Sequence, residues 1–159
     1  MRTALASVVA LTLCVGVAQA DTITPEDVMF DYGEVAQSLT GTPGDAANGI
    51  KVMTNRGLGN CIACHQVTAL EEYPYHGEVG PSLDGAGDRW TPEQLRGIVA
   101  NAKEMFPDSI MPSFYKRSGY IRVGDAFTGK APANESDITT LLTAQEIEDV
   151  VAFLVTLKD

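Results

Sequence analysis

Cys61-Ile62-Ala63-Cys64-His65 constrains this chain more than any other stretch. Two cysteines two residues apart, followed at once by a histidine, have the spacing that attaches a c-type haem. The chemistry requires it, because the thiols add across the two haem vinyl groups while the next residue turns its imidazole under the ring to bind iron. A zinc site would want about four ligands from well-separated pairs, and no second cysteine pair exists here. A thioredoxin-like redox pair would end a strand in a βαβ pattern, whereas Cys61 follows the glycine-rich Gly57-Leu58-Gly59.

The first twenty residues read as a secretory signal peptide: Arg2 gives a positive start, Leu5 to Val17 are almost wholly apolar, and Ala18-Gln19-Ala20 is an A-x-A cleavage site. The stretch is too short to span a membrane. Leu11-Thr12-Leu13 lacks the small residues expected before a lipidated cysteine, so Cys14 reads as a passive apolar residue. Cleavage after Ala20 places the mature chain in the periplasm with only Cys61 and Cys64, and haem would consume both. The formal charge of −10 becomes more negative by one when Arg2 is lost. That balance disfavours nucleic acid and anionic membrane, and suits solubility or partners with basic faces.

Three segments follow: the signal peptide 1–20, an N-terminal extension and linker 21–44, and a single folded domain 45–159. Pro25, Glu26 and Asp27 predict a short helix opening toward Phe30, broken by Thr40-Gly41-Thr42-Pro43-Gly44. A second helix is predicted from Asp45 through Arg56, with Ala46, Gly49, Ile50 and Met53 on one face. Pro74, Gly77, Gly80, Pro81, Gly85 and Gly87 make 66–89 a loop, one long enough to need something other than protein to wrap. Thr91-Pro92-Glu93-Gln94 and Thr143-Ala144-Gln145-Glu146 are capping boxes, with Trp90 against Leu95 and Leu142 against Ile147 as staples. Ile147, Val150, Val151, Leu154 and Leu157 form a helical stripe. Strand signals are scarce, so the predicted fold is all-α.

A haem iron held by His65 has a sixth position, for which Met29, Met53, Met105, Met111 and His76 are the candidates. Met111 precedes Pro112, which biases it to extended backbone where a long thioether can reach across a cavity. Met53 and Met105 suit packing, and His76, between Tyr73-Pro74 and Gly77, suits a solvated loop. Met111 is the preferred ligand; Met/His ligation raises the reduction potential, whereas a second imidazole lowers it.

Cys61 to His65, Gly80-Pro81-Ser82-Leu83 and Met111-Pro112 together resemble a class I cytochrome c, over Asp45 to Asp159. The resemblance implies a class I cytochrome c-like fold around one covalently bound haem c, with the Pro81 carbonyl hydrogen-bonding the His65 imidazole. It also implies that the first and last helices cross through Gly49 against Phe153. Met53 stands where the family often has an aromatic, which points to a looser crossing. Val79 to Trp90, Met111 to Tyr115 and Leu142 to Leu154 resemble more narrowly the SoxX family, small cytochrome subunits of complexes in bacterial thiosulfate oxidation.

That narrower resemblance implies a heterodimer with a larger SoxA-like c-type cytochrome, where thiosulfate is oxidatively joined to a carrier-protein cysteine. This chain would accept the released electrons and pass them to a transient small cytochrome, with no catalytic residue of its own. Read from the residues alone, the remaining histidine has no evident nucleophile beside it, and outer-sphere electron transfer is the reading. A free-standing periplasmic shuttle stays open as the alternative, and so does a peroxidatic haem with a weakly ligated iron. Arg89 and Trp90 are candidates to stand near a haem propionate, and Tyr115 and Tyr120 to line the haem. The excursion 114–140 gathers Lys116, Arg117, Arg122 and Lys130 into a candidate docking segment.

Overall fold

The computed structural model describes residues 21–120, 130–132 and 134–159. The signal-peptide reading, and Arg122 with residues 121–129 and 133 of the excursion, lie outside these residues. Four α-helices form: α1 (Ala46–Thr54), α2 (Ala86–Arg89), α3 (Pro92–Asn101) and α4 (Ala144–Leu154). Short 3-10 turns lie between them, and the described residues contain no strand beyond one isolated bridge.

The helix starts form as their caps dictate. Asp45 accepts from the Ala47 N–H at 2.9 Å. Thr91 with Gln94, and Thr143 with Glu146, close both capping boxes, and Pro92 opens α3. The helix predicted from Asp45 stops at Thr54 rather than Arg56, because Asn55 turns extended after giving the last helical N–H bond to Lys51 O.

α1 and α4 cross at the centre of the molecule. A Cβ on Gly49 would stand 2.1 Å from Asp149 O, so only glycine lets the two backbones meet. The contact falls on the backbone of Asp149 and Val150, about one turn before Phe153. Met53, the residue at which a looser crossing was expected, is fully buried in the core. Asp149 spans the joint, its carboxylate accepting from Asp45 N–H at 2.8 Å, Asn48 Nδ2 at 2.7 Å and Gln145 Nε2 at 2.9 Å. The stripe Ile147, Val150, Val151, Leu154 and Leu157 is buried throughout.

The N-terminal segment departs from the sequence expectation. Thr24 to Asp27 closes one turn, with Thr24 Oγ1 donating to Asp27 at 2.7 Å, and no helix follows. Residues 31–34 instead form a two-residue hairpin, Asp31 and Glu34 exchanging both backbone bonds around Tyr32 (φ 47°) and Gly33 (φ 87°). Tertiary contact explains the change: Gly33 sits on Met105, and Gly97 of α3 lets the Gly33 carbonyl approach within what would be 1.9 Å of a Cβ. Beyond the hairpin, Val35 and Leu39 are core residues. Arg96 donates to Val35 O at 2.8 Å and pairs with Glu148 at 2.9 Å, while Glu148 also accepts the Leu39 N–H at 2.7 Å. The segment is thus a strap bonded to α3 and α4.

Candidate functional site

The pentapeptide folds as a single tight turn. Asn60 takes a left-handed φ of 46°, and Cys61–Ala63 makes a 3-10 turn anchored by buried Ile62. The Cys61 carbonyl accepts from both Cys64 N–H (3.1 Å) and His65 N–H (3.0 Å), which gathers two thiols and an imidazole onto one turn. Asn60 N–H reaches Val52 O at 3.3 Å, tying that turn to α1. Neither thiol is in a disulfide; Cys64 is exposed, and burial pushes the Cys61 thiol up to about 12.

Loop 66–89 wraps back over the turn. His65 Nδ1 lies 2.7 Å from Pro81 O, and since a carbonyl only accepts, Nδ1 carries the proton and Nε2 keeps a free lone pair. Gly80 makes this possible, for a Cβ there would lie 2.2 Å from His65 Cε1. Its N–H donates to Cys64 O at 2.8 Å, and Leu83 N–H donates to Gln66 O at 2.9 Å. Asp84 caps the neighbouring turn through Thr68 N–H (2.8 Å) and Thr68 Oγ1 (2.7 Å), bonds that hold its carboxyl below the usual value. Arg89 donates to Ser82 O at 3.0 Å and Asp84 O at 2.5 Å. Sequence reasoning gave Arg89 no such role: it clamps the loop carrying Pro81. Trp90 packs edge-on against Phe106 with centroids 5.9 Å apart.

Met111 follows α3 on a separate stretch, half-buried, and packs against the same core as Cys61, Leu83 and Trp90. Three ties hold that stretch, none of them evident in the sequence. Lys103 Nζ donates to Met111 O at 2.6 Å, Met111 N–H donates to Ser109 Oγ at 3.2 Å, and buried Ser113 donates to Asn101 Oδ1 at 2.6 Å. The other thioethers are placed otherwise: Met53 is core, Met105 lies on Gly33, and Met29 is exposed. His76 is not the solvated loop residue its neighbours suggest. It is half-buried, Nδ1 accepts the Val67 N–H at 3.2 Å, and Nε2 is buried without a partner.

The excursion begins on the strap rather than free in solvent. Tyr115 is buried and donates to Ile23 O at 2.6 Å, while Arg117 pairs with Glu26 through two bonds. Lys116 lies over the Tyr120 ring at 5.3 Å.

The donor set fits a c-type haem: two thiols free to form thioethers and an imidazole with its Nε2 lone pair available, presented by one turn. Among the described residues no group of three or more His, Cys, Asp or Glu could hold a metal ion. No helix among them is long and apolar enough to cross a membrane.

The cytochrome c family profile matches residues 46–158. No curated protein matches this chain. Among solved structures, a chain of SoxXA from P. pantotrophus is 53% identical, superposes with a TM-score of 0.83, and is covered in full by 87% of this chain. On this fold, this turn and these matches, the chain belongs to the cytochrome c family, in its SoxX branch, with one haem c as its cofactor.

Proposed function

We propose that this chain is the electron-transfer subunit of a complex that oxidatively conjugates thiosulfate to a carrier-protein cysteine, in the periplasm, beside a larger SoxA-like cytochrome. The observation that carries this is the 53% identity to a chain of the SoxXA complex over that chain's entire length. A free-standing shuttle is disfavoured on the same ground. Removal of residues 1–20 as a signal peptide, with its positive start, apolar stretch and A-x-A site, is the route to the periplasm in this reading.

Cys61 and Cys64 would hold the ring as thioethers, and His65 Nε2 and the Met111 thioether would bind the iron. When bound, that group supplies one-electron chemistry, and Met/His ligation sets a raised potential. The chain's own residues hold and orient. Pro81 O keeps the imidazole proton on Nδ1, Gly80 admits the ring edge, and Arg89 fixes the loop carrying both. Lys103 and Ser109 hold the Met111 backbone. No side chain acts as an acid, base or nucleophile. Electrons from thiosulfate conjugation on the partner enter here and leave to a small soluble cytochrome.

Co-expression with the larger cytochrome tests the assembly: a stable one-to-one complex is expected, and a lone haem-loaded monomer would overturn it. Met111→Ala tests the axial ligand, since it should abolish the charge-transfer band of Met-bound ferric haem; an unchanged spectrum would remove Met111 from the site.

A further inference from the structure

We propose that the exposed face of the loop 71–79, which carries Tyr75 and Val79 together with Glu71, Glu72 and Glu78, is the docking face for a basic, transiently bound electron-transfer protein. The inference rests on the electron-transfer reading above and names the partner that takes the electron away.

Placement comes first. The loop carrying this surface is bonded to the pentapeptide, Gly77 N–H donating to Ile62 O and Gly80 N–H to Cys64 O, each at 2.8 Å. A Cβ on Gly77 would stand 2.1 Å from Ala63 O, so the loop lies directly on the turn that exposes Cys64. On it, Tyr75 is 79% and Val79 64% exposed. Tyr75 has a φ of 72°, in the region that favours glycine, and Arg56 lies 5.9 Å from its ring centroid. A large aromatic is thus held outward on a backbone that ill suits it.

Charge then selects the occupant. From Gly57 to Asp88 the chain has no lysine or arginine but carries Glu71, Glu72, Glu78, Asp84 and Asp88. Asp84 caps Thr68 and Asp88 pairs with Lys158. Glu71, Glu72 and Glu78 are exposed, and among the described residues none is in a salt bridge. Arg56 beside Tyr75 offsets one of these charges, and the remaining excess of carboxylate beside a few exposed apolar side chains steers a basic partner by long-range attraction while giving little dry area to retain it. A permanent subunit interface would need a larger and more apolar face. The occupant is therefore a small ferric c-type cytochrome with a basic face; it takes one electron and becomes ferrous, with no proton or bond exchanged.

The test uses the haem-loaded protein in complex with its larger subunit. Oxidation of the reduced complex is followed by stopped flow against two small ferric c-type cytochromes of matched potential, one basic and one acidic, over a range of ionic strength. The basic oxidant should react about tenfold faster at low salt and lose that advantage as salt rises. The triple variant E71Q/E72Q/E78Q should slow the basic oxidant by about tenfold at low salt while still retaining the larger subunit. Unchanged rates would reduce the patch to a solvated face, and release of the larger subunit would make it the permanent interface instead; either overturns the proposal. A wild-type chain that never retains a larger subunit overturns the assembly reading separately, and the same rates, measured on the haem-loaded chain alone, then decide the docking face.

Discussion

One proline carbonyl decides which nitrogen of His65 is free. At 2.7 Å from Nδ1, Pro81 O accepts the Nδ1–H hydrogen bond and leaves Nε2 as the metal-facing atom. Glycine at 80 is the condition for that bond. Gly80→Ala would press a methyl into the ring at 2.2 Å, so it should lower covalent haem content and destabilise the protein by ~1–3 kcal/mol, read by haem absorbance per polypeptide and by thermal unfolding. On the other stretch, Lys103 holds Met111 only through the backbone oxygen at 2.6 Å. Removing that bond in Lys103→Met should let exogenous imidazole displace the thioether about threefold to tenfold more readily. Lys103→Arg should restore the wild-type affinity, and equal affinities in all three proteins would deny the lysine a positioning role. Pro81 was legible beforehand only through the resemblance of Gly80-Pro81-Ser82-Leu83 to class I cytochromes c. Lys103, Ser109 and Arg89 were not, because each bonds a backbone group, a carbonyl for Lys103 and Arg89 and the Met111 N–H for Ser109, and such a partner leaves no mark on the residue type.

Among the elements, the α1–α4 crossing couples packing to charge. Gly49 brings α1 onto the α4 backbone, and Asp149 reaches over to take the Asp45 N–H at the start of α1. Burial alone would raise the Asp149 carboxyl, but the donors from Asp45, Gln145 and Asn48 outweigh it and hold the group below its ordinary 3.8. A depressed folded value means the contribution is complete above the unfolded value and disappears as pH falls through the folded one. The stability gap between wild type and Asp149→Asn should therefore be constant from neutrality to about pH 5 and close below 3.8. Denaturant titrations at several pH values measure it, and a gap that persists in acid would deny Asp149 its charge. Helix starts were readable because capping boxes are local. The helix expected after Pro25 failed because Gly33 and Gly97 bring a hairpin onto α3, a contact between segments far apart in the chain.

The strap, the loop and the helices close on one core, so the extension that looked like an appendage is part of the molecule. Val35 and Leu39 are buried in that core, and the Arg96–Glu148 pair takes its remaining partners, Val35 O and Leu39 N–H, from the strap. Deleting residues 21–40 should cost about 3–6 kcal/mol from those two side chains, and leave a buried ion pair short of hydrogen bonds. A large drop in Tm of the haem-loaded protein is the expected reading; an unchanged Tm would make the strap dispensable. At this scale the division is physical. The sequence by itself determined whatever depends on neighbours along the chain: the haem-attaching turn, the capping boxes, the α4 stripe, the all-α class and the acidic balance. Only the tertiary structure decided what depends on distant segments meeting. That includes the hairpin seated on Gly97, the full burial of Met53, the half-buried His76, and the pairing of Arg117 with Glu26. Capping and attachment spacing act within a few residues and write themselves locally, whereas close approach and charge pairing are settled by which surfaces the fold brings together.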